Sequence, residues 1–158
     1  MKWTRAERGP INEEIIDYLE KLIVAEKEKG HKIKVCVGTD AQRRGRGHKF
    51  VTVIALISEG KGGMLMYTVE HEMHKITLNQ KLLKEVYKSI EIAYSINPLL
   101  ELYDIKLEIH VDINADERWA SNKSMSQAVG YIMGMGYDYK VKPDAFAASF
   151  NADRYAKR

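Results

Sequence analysis

The pattern of apolar and polar residues predicts three strands in the first half of the chain. Residues 33–40, IKVCVGTD, place Ile33, Val35 and Val37 on one face of an extended segment. Residues 50–57, FVTVIALI, form a continuous apolar run rich in β-branched side chains, and a strand over 64–72 follows a GKGG turn. Because the connections are too short for crossover helices, we expect these strands to be antiparallel neighbours.

Apolar residues spaced three and four apart predict one helix before these strands and a longer one after them. The first covers residues 10–29, with Pro10 in its first turn. The second begins after Thr77 as the N-cap and ends at Asn97-Pro98, because a residue before proline is pushed out of the helical region.

The second half of the chain continues as alternating strands and helices. A fourth strand is predicted over 105–112, IKLEIHVD, a helix from 121 or 124 to 133, a fifth strand over 137–142 and an Ala-rich helix over 144–158. The order is therefore an N-terminal helix followed by β-β-β-α-β-α-β-α. This order predicts an α/β fold with a mixed five-stranded sheet flanked by helices.

Length and composition favour one globular domain. The 158 residues are 45% hydrophobic and 30% charged, a composition that is typical of a globular protein and argues against intrinsic disorder. We expect a single domain, 1–158, with residues 1–30 as a helical extension and 31–158 as the core. The single cysteine, Cys36, is interpreted as a buried apolar residue in a reducing compartment. No signal-peptide or membrane-spanning apolar run is recognisable, so a cytoplasmic location is expected.

Two of the predicted strands end in an aspartate, namely Asp40 and Asp112. If the first and fourth strands are parallel neighbours, the two carboxylates lie close together at one edge of the sheet. Carboxylates a few ångströms apart repel each other, and a hard cation such as Mg²⁺ or Mn²⁺ relieves that repulsion. Two such ions about 4 Å apart can activate water and stabilise the leaving oxygen in phosphodiester cleavage. This chemistry needs further acids, for which Glu85, Asp144 and Asp153 are candidates.

The order of elements and the positions of these acids resemble the ribonuclease H fold. More closely, the stretches VGTDAQRRG, EIHVDIN and KPDAFAASFNADRYAKR are similar to the ribonuclease H-like family often labelled YkuK. The likeness covers roughly residues 33–158 and leaves the N-terminal helix outside the core pattern. It implies a divalent-metal-dependent nuclease with Asp40, Glu85, Asp112 and one acid of the closing helix as catalytic metal ligands.

The third and fourth acids remain open at this stage. Asp153 in NADRYA resembles the last acid of the family better than Asp144, which stands near a helix start where the dipole alone favours an acid. Asp153 is therefore preferred and Asp144 is the runner-up. Glu85 could instead be a solvated helix residue, in which case Glu70 or Glu72 at the end of the third strand would replace it.

A basic segment, residues 42–49, follows Asp40 and is called the basic hairpin below. Its candidate nucleic-acid-binding residues are Arg43, Arg44, Arg46, His48 and Lys49. They could contact phosphates beside a metal site, which would make binding depend steeply on salt. The alternative is a charged turn that only keeps the surface soluble.

Other chemistries have less support. The histidines of HEMH, residues 71–74, are three apart at a strand end rather than four apart on a helix, which argues against a zinc protease motif. His110 is interpreted as a packed histidine or one that supports a ligand. Motifs of serine hydrolases, P-loop NTPases and dinucleotide enzymes are absent from the sequence.

Two functional hypotheses follow. The first is a nuclease or related phosphoryl-transfer enzyme acting on nucleic acid with two Mg²⁺ or Mn²⁺ ions. The second is a non-catalytic ribonuclease H-like module that binds nucleic acid or a protein through the basic hairpin.

Overall fold

The computed structural model describes residues 1–114 and 120–142. The strands are β1 (Trp3–Arg5), β2 (Gly9–Pro10), β3 (Ile33–Arg44), β4 (Gly47–Ser58), β5 (Gly62–Glu72), β6 (Lys106–Asn114) and β7 (Asp138–Lys142). The helices are α1 (Ile15–Glu28), α2 (Leu78–Leu102) and α3 (Ala120–Gly134). The predicted closing helix, with Asp144 and Asp153, lies outside the described residues.

The described strands form one mixed sheet in the order β2-β1-β5-β4-β3-β6-β7. Strands β3, β4 and β5 are consecutive antiparallel neighbours, as their short connections predict. Strand β6 pairs in parallel with β3, and β7 in parallel with β6. The α/β class and the mixed sheet are therefore confirmed, with two N-terminal strands added to the five that were predicted.

Helices α1 and α2 cover one face of this sheet. The apolar residues of alternate strand positions, including Val35, Val37 and Ile109, join the buried sides of both helices in the main core. The opposite face carries smaller buried clusters, in which Cys36 packs with Ala55. Cys36 is thus buried as predicted.

The first hairpin is longer than the sequence pattern indicated. Strand β3 does not end at Asp40, because antiparallel pairing with β4 continues from Asp40↔Val51 to Arg44↔Gly47. The chain reverses in a two-residue turn at Gly45, whose φ of 59° suits glycine. The basic segment is therefore a paired β-ribbon rather than a loop.

The expectation of a helix from Pro10 was wrong. Residues 3–10 form the β1–β2 hairpin, and β1 extends the sheet by pairing with β5. Trp3 is buried in the main core, and its carbonyl oxygen accepts a hydrogen bond from the Ile11 amide at 2.9 Å. Burial of the indole stabilises an extended N-terminus, and the helix begins only at Ile15.

The predicted end of the long helix at Asn97-Pro98 was also wrong. Helix α2 begins after Thr77 with the expected cap, because Thr77 and Gln80 form a reciprocal capping box. It then continues through Pro98 to Leu102. Leu100, two residues after the proline, is fully buried in the main core, so tertiary packing outweighs the hydrogen bond that proline removes.

Candidate metal centre and the adjoining basic hairpin

Asp40 and Asp112 come from neighbouring parallel strands. The β3–β6 register pairs Gly38 with His110, and Asp40 and Asp112 each lie two residues further along. The β6–β7 pairing becomes irregular between Val111 and Asn114, and such an irregularity redirects side chains beside it. The charge of Asp112 contributes to the raised pKa of Asp40, as expected for neighbouring carboxyl groups. The two-residue period of strands therefore brings these acids together as predicted.

Helix α2 brings Glu85 to the same place. The Ala41 amide, next to Asp40, donates a hydrogen bond to Glu85 Oε1 at 3.1 Å. One helical turn further on, the Ser89 and Thr39 hydroxyls lie 2.8 Å apart, which fixes α2 against β3. Glu85 is only 4% exposed, so it is not a solvated helix residue.

Lys81 completes the described part of the cluster. Its Nζ lies 3.2 Å from Glu85 Oε1, one turn earlier on the same helix. This residue was missed by sequence reasoning, although its position four residues before Glu85 was a signal that could have found it. Lys81 places one positive charge among three carboxyl groups.

The carboxyl groups have perturbed proton affinities. Burial, followed by the charge of Asp112, raises the pKa of Asp40 to about 7. Burial also raises the pKa of Glu85 to about 8, and the charges of Asp40 and Asp112 add to this effect while Lys81 opposes it. The cluster therefore holds protons at neutral pH unless cations compensate its negative charge.

The donor set fits Mg²⁺ or Mn²⁺. It consists of carboxylate oxygens, which these hard ions prefer, and burial raises the pKa values of Asp40 and Glu85, with the neighbouring carboxylates adding to the effect and Lys81 opposing it. Asp40, Glu85 and Asp112 would hold the cations. Asp153 and Asp144, the candidates for a fourth ligand, lie outside the described residues.

The alternatives to Glu85 are engaged elsewhere. Glu70 pairs with Lys88 at 3.0 Å, and Glu72 forms an ion pair and hydrogen bond with Lys84. Both lysines lie on α2 and tie it to β5. Glu85 is therefore the acid that the described structure places beside Asp40.

The basic hairpin adjoins the N-terminus of α2. Together they line a cavity of about 380 Å³, whose lining includes Arg43, Arg46, His48, Lys75 and Thr77. Arg44 and Lys49 also lie on the hairpin but do not line this cavity. Burial lowers the pKa of His48, and the charge of Lys81 contributes, which links this basic surface to the acidic cluster.

A second group of ligand-type side chains lies on the same pair of strands. In the described ranges 1–114 and 120–142, the one group of three whose donor atoms all lie within 4.8 Å of one another is Cys36, Glu108 and His110. The carboxylate oxygens of Asp40, Glu85 and Asp112 do not all lie within 4.8 Å of one another. His110 is packed, as predicted, at 2% exposure.

The fold and the acids together define an α/β protein with a carboxylate site beside two parallel strands. The family model described as "Ribonuclease H-like" matches residues 14–157, so the chain belongs to that family. It is also similar to the "Uncharacterized protein YkuK" of Bacillus subtilis (strain 168), with 28% identity over 158 residues, 89% of this chain and 90% of that protein. The resemblance drawn from the sequence motifs is thereby confirmed.

Two solved structures are similar to the chain. RNase H1 from the halophilic archaeon Halobacterium salinarum NRC-1 is 17% identical, with a TM-score of 0.41 over 73% of this chain and 89% of that one. An RNase H1 isolated from compost is 15% identical, with a TM-score of 0.44 over 80% and 91% of the two chains. Within the described part of the chain, none of the helices combines the length and apolar character needed to cross a membrane.

Proposed function

We propose that the protein is a divalent-metal-dependent nuclease, or a related phosphoryl-transfer enzyme, that acts on nucleic acid. The observation that carries the proposal is the convergence of Asp40, Glu85 and Asp112, with the pKa values of two of them raised toward neutrality. Carboxyl groups whose pKa values are perturbed by burial and by neighbouring charges are typical of functional sites. Mg²⁺ or Mn²⁺, held by these carboxylates, would supply Lewis-acid stabilisation of the phosphate and activation of water.

The chain's own residues have separate roles in this proposal. Asp40 and Asp112 are metal ligands held at a fixed spacing by the β3–β6 pairing. Glu85 is oriented by the Ala41 amide, which donates to Oε1, and would offer its carboxylate to a cation beside Asp40. Lys81 limits the repulsion among the acids when no cation is bound. Asp153, or else Asp144, would be the fourth ligand.

The basic hairpin supports a nucleic-acid substrate. Arg43, Arg46 and Lys75 line one cavity, with the N-terminus of α2 at the same cavity through Thr77. Guanidinium groups and the positive end of a helix dipole both favour phosphate. Lys81 contributes to the electrostatic environment of both His48 in this cavity and Glu85 in the acidic cluster, so the two surfaces are neighbours.

The experiment is a cleavage assay on labelled RNA, DNA and RNA–DNA hybrid in the presence of Mg²⁺ or Mn²⁺. Asp40→Asn and Asp112→Asn should each abolish cleavage while retaining the circular dichroism of the wild type. Asp17→Asn, an exposed carboxyl on α1, is the matched control and should cleave normally. Retained cleavage in both Asp40→Asn and Asp112→Asn would refute the mechanism.

The second candidate function is a non-catalytic module that binds nucleic acid or a protein through the basic hairpin. The paired ribbon with its arginine-lined cavity favours it independently of the acids. Arg43→Ala and Arg46→Ala should each weaken nucleic-acid binding and reduce the salt slope by about 1. Lys61→Ala, in the β4–β5 turn at the other end of the sheet, is the control. Binding that is lost in the hairpin variants, indifferent to Mg²⁺ and unaccompanied by cleavage would favour this function over the nuclease.

A further inference from the structure

Three side chains that the proposed nuclease does not use meet on neighbouring strands. Cys36 of β3 is the register partner of Glu108 of β6, and His110 follows two residues along β6. Their exposures are 0%, 2% and 2%. Because side chains alternate along strands, all three stand on the same face of the sheet.

The spacing of their donor atoms suits one metal ion. The thiol, carboxylate and imidazole donors all lie within 4.8 Å of one another, and Glu108 Oε2 is 3.8 Å from His110 Nε2. With zinc bonds of about 2.0–2.3 Å, ligands of a tetrahedral ion are about 3.3–3.7 Å apart. The carboxylate–imidazole pair is thus near its ligated separation and too long for a hydrogen bond.

We propose that Cys36, Glu108 and His110 form a second cation site, separate from the acidic cluster, that binds Zn²⁺ or a cation of similar preference. Thiolate and imidazole ligands select zinc-like ions, whereas Mg²⁺ and Mn²⁺ prefer carboxylate oxygens. Three protein ligands leave a fourth position for water. This inference does not depend on the nuclease activity proposed above.

Lys34 neutralises Glu108 without blocking the site. Its Nζ lies 3.3 Å from Glu108 Oε1, whereas Oε2 is buried and has no hydrogen-bond partner among the described residues. A buried carboxylate oxygen left in this way costs free energy that a cation would recover. The metal therefore takes Oε2 while Lys34 keeps Oε1.

Metal binding at this site requires particular protonation states of His110 and Cys36. A neutral imidazole has a lone pair for a metal, and the buried His110 Nε2, 3.8 Å from Glu108 Oε2, is the nitrogen that would bind the ion. Burial raises the pKa of the Cys36 thiol to about 12, so the thiol gives up its proton to solvent when the metal–sulfur bond forms. A cavity of about 490 Å³, with Glu108, Lys106 and Lys140 in its lining, offers a route for the ion and the proton.

The site would act as a clamp between β3 and β6. These are the two strands that present Asp40 and Asp112, which lie four and two residues beyond Cys36 and His110. A metal bridging the strands there stabilises the parallel pairing that sets the spacing of the acids. We therefore assign the second site a structural role.

The test is Co²⁺ titration of the reduced, metal-free protein, followed by optical spectroscopy. Because Cys36 is the single cysteine, any thiolate-to-cobalt charge-transfer band must come from it. We expect that band together with the strong visible bands of a tetrahedral ion, and displacement of Co²⁺ by Zn²⁺. Asp40→Asn should retain the full signature.

Three variants make the assignment specific. Cys36→Ala should lose the charge-transfer band. Glu108→Gln and His110→Asn should each weaken Co²⁺ binding at least about tenfold, because even residues that only support a metal ligand cost about that much in affinity when replaced. Zn²⁺ should raise the thermal midpoint of the wild type and not that of Cys36→Ala, whose fold is checked by circular dichroism. Absence of the band in the wild type would overturn the site. A band unchanged in both Glu108→Gln and His110→Asn would overturn the proposed ligand set.

Discussion

Replacing Asp40 with asparagine should stabilise the metal-free protein at neutral pH. In the folded state the pKa of Asp40 is raised from 3.8 to about 7, first by burial and then by the charge of Asp112. A carboxyl with a raised pKa contributes its stability below its unfolded value and loses it as the pH rises through the folded value. The wild type should therefore become less stable between about pH 4 and about pH 7.

The magnitude follows from the size of the shift. A difference of one pKa unit corresponds to about 1.4 kcal/mol. The difference between 3.8 and about 7 therefore sets an upper limit of about 4 kcal/mol on the loss of folding free energy. The proton is shared with the neighbouring carboxyl groups, which reduces the expected effect of one substitution to about 2 kcal/mol. Asparagine has nearly the shape of aspartate and cannot ionise, so the variant should lose the part of the pH dependence that Asp40 contributes and keep the part that Glu85 contributes.

The assay is urea unfolding in EDTA from about pH 5 to about pH 8, followed by circular dichroism. Asp40→Asn should be more stable than the wild type at the upper end, and Asp17→Asn should follow the wild type throughout. Added Mg²⁺ should reverse the order, because only the wild type gains binding free energy. A wild type whose stability is independent of pH, or a variant that is less stable at pH 8 in EDTA, would refute the account of the site.

Three further substitutions test the packing of the fold, each by urea unfolding against the wild type. Pro98→Ala should stabilise the protein by about 1–3 kcal/mol, because it restores the helical hydrogen bond to Tyr94 at an exposed position; a destabilised variant would contradict this. Gly47→Ala should destabilise the protein by about 2 kcal/mol or more, since the new Cβ would lie 2.0 Å from the Glu72 carbonyl oxygen. An unchanged free energy of unfolding would contradict this, because it would mean that β4 and β5 can move apart without cost. Glu26→Gln should cost about 1–3 kcal/mol at neutral pH. Hydrogen bonds from His31, Ser58 and Lys29 lower the pKa of Glu26 to about 2, so the wild type should lose this advantage as the pH falls from 4.5 through about 2, and a difference that persists in acid would argue against it.

The sequence predicted those features that depend on local periodicity. Alternation along two strands placed Asp40 and Asp112 at equivalent positions, and the structure pairs those strands in parallel. The N-cap at Thr77 was also recognisable, because a capping box is encoded within four residues. Such signals need no knowledge of distant contacts.

Features that depend on long-range packing were not predictable. Helix α2 passes through Pro98 because Leu100 is buried against the core, and residues 3–10 are extended because Trp3 is buried against the sheet. The meeting of Cys36 with Glu108 depends on the β3–β6 register over a sequence separation that no local pattern specifies. A single cysteine in a predicted strand is interpreted as an apolar residue as long as that register is unknown.

The most direct test of the central claim is Mn²⁺ binding measured by calorimetry. The protein used should carry Cys36→Ala, so that the second site does not contribute. We predict that Mn²⁺ binds this background and that adding Asp40→Asn or Asp112→Asn abolishes binding, with Asp17→Asn as the unaffected control. Mn²⁺ binding that persists with both aspartates replaced would contradict the assignment of these acids to one metal centre.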